Sequence, residues 1–154
     1  MTTATSPTTT GFTIDSLNHV VLRVRDLERS KAFYRDVLGL KIRREREGRM
    51  VFFHTGENDH DLAIMQLEPG APPADDQRAG LYHFALRLGS LDELKAAYKH
   101  FVASGANIAG ITHHGDTKSI YLKDPDDIEM EIFCECEHDP NGTEEQVRVE
   151  LGAL

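Results

Sequence analysis

His114, Tyr121 and Glu131 fall within one short stretch, THHGDTKSIYLKDPDDIEME, running from Thr112 to Glu131. Two further histidines, His19 and His83, stand upstream in closely similar surroundings. Two imidazoles and one carboxylate are a donor set that holds Fe(II) from one side and leaves its other positions open. Taken singly, none of these residues argues for chemistry. A hairpin carrying a His, a Tyr and a Glu is ordinary, and a lone His on a strand is more often a satisfied interior residue than a ligand. The repeated setting of His19 and His83 reverses that weighing.

The repeat also defines what must position these residues. Leu81–Leu88 (LYHFALRL) lies over Leu17–Val24 (LNHVVLRV) at a constant offset of 64, and Tyr34 and Tyr98 fall at the same offset. Each copy opens with an alternating strand, in which His19, Val21 and Arg23 share one face while Val20, Leu22 and Val24 share the other. A helix follows each. The first is capped by Asp26, striped by Leu27, Tyr34, Val37 and Leu38, and stopped at Gly39. The second opens on a Ser90/Glu93 capping box, is striped by Leu91, Leu94, Tyr98, Phe101 and Val102, and is closed by Gly105. Short strands are predicted over 40–46, 50–55 and 61–67 in the first copy, and 108–112, 118–123 and 128–136 in the second. The linker EPGAPPADDQRAG between them, with three of the six prolines and two glycines, is too poor in apolar residues for core.

The predicted fold is therefore α+β: two paired βαβββ modules, about 15–68 and 81–136, forming a cup-shaped mixed sheet within a single domain over 13–136. Pairing about a pseudo-twofold axis sets the two first strands face to face and brings His19 opposite His83. Glu131 shares its strand face with Phe133, and a carboxylate in such a strand needs a partner or a metal. Residues 1–12 are a Thr-rich tail expected to be disordered, and 137–154 an acidic segment read as a short helix or a tail.

Composition narrows the function classes. The net charge of −9 argues against a nucleic-acid face, and from Asp124 onward eleven acidic residues accompany a single arginine. No apolar run is long enough to span a membrane, and the N-terminus has neither the basic nor the apolar part of a secretory signal. Cys134 and Cys136 share a strand face and would not bridge each other. A cytoplasmic location fits that cysteine usage.

These residues resemble the vicinal-oxygen-chelate superfamily, and within it the type I extradiol catechol 2,3-dioxygenases. The dioxygenase signature reads here as Thr112-His113-His114, then Ile120-Tyr121, Asp124-Pro125 and Glu131, with His60-Asp61-Leu62-Ala63-Ile64 opening the strand before the second module. The resemblance implies metal ligands His19, His83 and Glu131, holding Fe(II), with Mn(II) as the other candidate. It implies that His60 acts as acid–base group, that Tyr121 hydrogen-bonds the substrate hydroxyl and helps deprotonate it, and that His114 holds a substrate oxygen. The substrates implied are a catecholic diol and O2. The chain departs from the family pattern at Asp127, where a Gly is usual. His113 is the alternative to His114, and His54, His100 and His138 read as surface residues. Arg23 and Arg87 share the ligands' strand phase and either line the cup or form rim salt bridges.

A fourth ligand separates this reading from its relatives. Glyoxalase- and epimerase-type lyases and isomerases supply a Glu or Gln from the last strand of the first module. Here Met65 falls in that slot, with Gln66 beside it. A binding protein that sequesters an antibiotic without chemistry is the reading from a different class. A homodimer or higher homo-oligomer is expected because open sheet edges are usually paired.

Overall fold

The computed structural model describes residues 11, 13–56, 59–75 and 77–153. The tail expected over 1–12 lies almost wholly outside them. The first module contains β1 (Val20–Val24), α1 (Leu27–Ala32), β2 (Lys41–Arg46), β3 (Met50–His54) and β4 (Leu62–Gln66). The second contains β5 (His83–Leu88), α2 (Leu91–Ala103), β6 (Asn107–His113), β7 (Thr117–Lys123) and β8 (Glu129–Glu135), followed by α3 (Glu144–Leu151). Each module forms its own four-stranded mixed sheet, ordered β1-β4-β3-β2 and β5-β8-β7-β6, with the first strand parallel to the last and the rest antiparallel. The repeat extends to irregularities: β2 and β6 each carry a register shift, between Ile42 and Arg44 and between Ile108 and Gly110.

Alternation decides which face of each sheet meets the helices. Leu22 and Val24 of β1, Val51 and Phe53 of β3, and Leu62 and Ile64 of β4 are buried with Leu27 and Tyr34. In the second module Ile120, Leu122, Met130, Ile132 and Cys134 are buried with Leu94 and Phe101. The opposite faces carry no helix, and they carry the candidate site. Val102, expected in the α2 stripe, is 54% exposed; its position turns past the edge of the contact that Leu94 and Phe101 make.

The helix ends follow their local chemistry. Asp26 accepts from Arg29 N at 3.0 Å, and Gly39 adopts the left-handed conformation that ends the first helical segment. Before it, α1 widens into a π-helical turn over Phe33–Val37. Ser90 accepts from Glu93 N, while the Glu93 carboxylate reaches past Ser90 to Gly89 N at 2.6 Å. The acidic C-terminal stretch contains α3, which opens on a Thr143/Gln146 capping box, buries Val147 and Leu151, and pairs Glu150 with Lys118 Nζ at 2.6 Å.

A buried polar latch joins the modules. The Asp-Pro-Asp-Asp turn before β8 presses against the first helix. Tyr34 Oη donates to Asp124 Oδ2 at 2.8 Å, and Asp126 takes Arg25 Nε at 2.6 Å and Arg29 at 2.8 Å. Asp124 Oδ1 also accepts from Asp126 N and Ile128 N, so one carboxylate builds the turn and fixes its docking. Burial pushes the Asp124 carboxyl up, partly offset by these hydrogen bonds. Burial acts the same way on Asp126, but its bonds to Arg25 and the charge of Arg29 outweigh it and hold that carboxyl low.

Asp127 occupies the position where the sequence departs from the family's Gly, and it adopts φ 66°. The turn keeps its left-handed geometry with an Asp in place of Gly, at a steric cost. Asp127→Gly is expected to stabilise the protein by about 0.5–1 kcal/mol, read as a small rise in Tm with unchanged near-UV dichroism. A lower Tm would show that the Asp127 side chain contributes something the turn geometry does not.

Candidate active site

On the helix-free face of the second sheet, strand register gathers four of the sequence-derived residues. Tyr121 of β7 lies opposite Glu131 of β8, and His83 begins β5 on the other side of β8. His83 Nε2 is 3.5 Å from Glu131 Oε2. His114 Nε2 is 2.9 Å from Tyr121 Oη and 3.9 Å from Glu131 Oε1. The His83 ring meets the Tyr121 ring edge-on, with centroids 5.4 Å apart. Burial, then the Glu131 charge, pushes the Tyr121 phenol up to about 12. In this arrangement the Tyr121 phenol keeps its proton at neutral pH and can donate a hydrogen bond.

Ser119 was not singled out in the sequence. It is fully buried and donates from Oγ to Glu131 Oε1 at 2.5 Å. The signal was available, because Ser119 and Tyr121 are two apart on one strand and share a face. The bond satisfies one oxygen of a carboxylate whose side chain is only 13% exposed and leaves the other turned to His83.

The first sheet holds the remaining two residues. The rings of His19 and His60 lie 4.5 Å apart by centroid, and Phe52 meets His60 edge-on at 5.1 Å. Asn18 Oδ1 is 2.9 Å from His19 Nδ1, and Asp59 Oδ2 is 2.9 Å from His60 Nδ1. These two orienting groups were also missed; each sits one residue before its His, and adjacency alone carries no sequence signal. His19 and His83 line one cleft of about 1110 Å³ between the modules, with apolar walls from Leu62, Phe84 and Phe101.

The other histidines sort clearly. His113 accepts from Gly115 N at 3.0 Å, and its ring packs on Gly142 so closely that a Cβ would not fit there. It is a structural wedge, and His114 is the one that faces Tyr121. His54 is tied to Gly56 O and His138 to Asp116, and His100 bonds Asp36 O at 3.1 Å across the modules. Arg87 pairs with Glu135 at 3.0 Å, the rim salt bridge.

Gln66 is removed from the ligand question by its own bonds. Its side chain accepts from Leu27 N at 2.7 Å and donates to Arg25 O and Leu67 O at 2.8 Å, which holds the start of α1. Met65 has the strand phase of the helix-free face.

The residues fit a metal in part. His83 and Glu131 are an apposed donor pair, and His83 Nδ1 is buried without a hydrogen-bond partner among the described residues. His19 stands with His60 instead, and among the described residues no three His, Cys, Asp or Glu side chains are grouped closely enough to hold an ion.

Residues 16–132 match the family model of the glyoxalase/bleomycin resistance protein/dioxygenase superfamily. The chain belongs to that superfamily. Among curated relatives of this superfamily member, catechol-2,3-dioxygenase of Bacillus subtilis is 29% identical over 120 residues, covering 77% of this chain and 41% of that protein. Lactoylglutathione lyase of Haemophilus influenzae is 31% identical over 128 residues, covering 75% of this chain and 89% of that protein. The chain thus spans under half of the dioxygenase and most of the lyase. A solved glyoxalase/dioxygenase from Nostoc punctiforme superposes with a TM-score of 0.69 at 22% identity, over 88% of this chain and all of that one, and shares its fold. No helix among the described residues is long and apolar enough to cross a membrane.

Proposed function

We propose that this superfamily domain is an Fe(II)-dependent extradiol dioxygenase acting on a catecholic diol, in the cytoplasm, with His19, His83 and Glu131 as the metal ligands. The observation that carries the reading is the cluster of Tyr121, His114 and Ser119 around Glu131, next to His83. Lyase-type relatives need a fourth protein ligand, and the engagement of Gln66 with α1 favours three.

Within one chain the donor set is incomplete as it stands, so no catalytic step is derived through the metal. Iron, when bound, would supply the electron transfer between diol and O2 that side chains alone do not provide. The residues themselves do the rest. Glu131 contributes the negative charge. Tyr121 donates a hydrogen bond to a substrate oxygen, and His114 polarises the same oxygen from beyond it. His60, oriented by Asp59, handles a proton on the opposite wall.

The third donor comes, in this reading, from a second copy in a homodimer. β1 and β5 are both edge strands, and Leu17, Val21, Leu81 and Tyr82 beside them are 84%, 44%, 55% and 78% exposed. Anaerobic titration should give one Fe(II) per chain in the wild type and none in His19→Ala. Co-refolding His19→Ala with Glu131→Ala should restore about a quarter of wild-type turnover if sites are shared between copies. Full Fe(II) binding by His19→Ala would overturn the ligand assignment, and no recovery on mixing would overturn the shared site.

A further inference from the structure

The helix-free face of the first sheet has a charge pattern that the proposed chemistry does not use. Strand register lays its side chains in rows. One row runs Val21, Ala63, Phe52, Arg44, and the next runs Arg23, Met65, Met50, Arg46. Both rows start beyond His19 on the same face of β1. Three of their eight residues are arginines and none is acidic, in a chain whose net charge is −9.

The arginines are not spent on ion pairs alone. Arg44 is tied to Asp59 at 3.0 Å, the residue that also holds His60. Arg46 has no ion-pair partner among the described residues, and neither has Arg23. The equivalent of Arg23 in the repeat, Arg87, is paired with Glu135. The Arg44 and Arg46 guanidinium groups lie 4.4 and 5.8 Å from the centroid of the Phe52 ring, which is only 6% exposed beneath them and His60. Asp61, just before β4, is engaged by Thr55 N and Oγ1 at 2.7 and 2.9 Å.

Together these features form an apolar tray with cations at both long edges. Four strands at about 4.8 Å spacing put the Arg23 and Arg46 backbones about 14 Å apart. Thioethers floor the space between, and they adapt to flat ligands. Arg23 is four residues from His19, about 13 Å along the strand. A ring held at the His19–His60 end reaches that far only if it carries a chain or a second ring.

We propose that this face is the specificity surface of the site, and that it selects an elongated, flat aromatic substrate bearing a carboxylate, clamped by Arg23 and Arg46 over Met65 and Met50. The substrate class rests on the reading of His19 and His60 as the reacting end of the same face. Binding of the acid does not require that chemistry.

The test is therefore made on metal-free protein. The chain has no Trp, so emission from a naphthalene ligand is unobscured. Wild type, Arg23→Gln, Arg46→Gln, the double variant and Arg87→Gln are titrated with 2-naphthoate and 2-naphthol. Wild type should bind the acid roughly tenfold more tightly than the phenol, each tray variant should lose most of that preference, and Arg87→Gln should keep it. Thermal melts should be unchanged, because both arginines are exposed. Equal binding of acid and phenol, or an equal loss in Arg87→Gln, would overturn the proposal. Acid selectivity that survives in a protein without ring-cleaving activity would leave the tray standing and remove only the dioxygenase reading.

Discussion

Glu131→Ala should abolish stoichiometric Fe(II) binding and lower turnover by more than about 100-fold, beyond what loss of a supporting residue costs. Glu131 is where the second sheet converges. His83 faces one oxygen at 3.5 Å, and Ser119 donates to the other at 2.5 Å. Removing it leaves the buried Ser119 hydroxyl without its acceptor and takes the only charge out of the proposed ligand set. Glu131→Gln preserves shape and the Ser119 bond, so it separates folding from function: it should melt like wild type yet bind iron poorly. Ser119→Ala should fall between, lowering affinity by about 10–100-fold. Retention of wild-type iron affinity in Glu131→Gln would remove Glu131 from the ligand set.

The largest expected effect on stability is at Asp124. Asp124→Ala strips the acceptor from Tyr34 Oη and from the backbone N–H of Asp126 and Ile128, all in a buried turn. Unsatisfied donors there should cost about 3 kcal/mol, a fall in Tm of roughly 6–12 °C for a domain of this size. Asp124→Asn keeps an oxygen for the two backbone donors and should cost under about 1.5 kcal/mol. The two latch carboxylates act oppositely with pH. Asp126, with its folded pKa lowered, contributes stability above the unfolded value near 4 and loses it as pH falls through the folded value. Asp124, with its folded pKa raised, contributes at low pH and loses that contribution as pH rises through the folded value. Asp126→Asn should therefore flatten the acid limb of the stability profile. An Asp124→Ala melt indistinguishable from Asp124→Asn would show that the turn docks without its carboxylate.

Much of this was legible in the sequence because it repeats. The offset between His19 and His83 marked two homologous strands, and alternation put Glu131 on the face of Phe133; strand register in the structure then sets His83, Glu131 and Tyr121 on one face. Gly39, Asp26 and Ser90 marked helix ends through local chemistry that needs no tertiary context. What stayed hidden depends on side-chain reach across elements. Nothing in a strand's own pattern shows that Asp124 and Asp126 dock on Tyr34, Arg25 and Arg29 about a hundred residues away. Nor does it show that Gln66 is occupied by the start of α1, or that Phe52 lies under Arg44 and Arg46. His19 and His83 line one cleft, but His19 is stacked near His60 and is not grouped with His83 and Glu131. Pseudo-symmetry places strands, but the gap between two sheets is set by packing that periodicity does not encode.

The central claim is tested most directly by loading the protein with Fe(II) under anaerobic conditions, adding a carboxylate-bearing catechol, and admitting air while O2 uptake and the visible spectrum are recorded together. One O2 consumed per diol, with a yellow ring-opened product, both lost in Glu131→Ala and His60→Ala, is the expected result. Iron bound in full with no O2 uptake across acidic and neutral catechols would contradict the dioxygenase assignment.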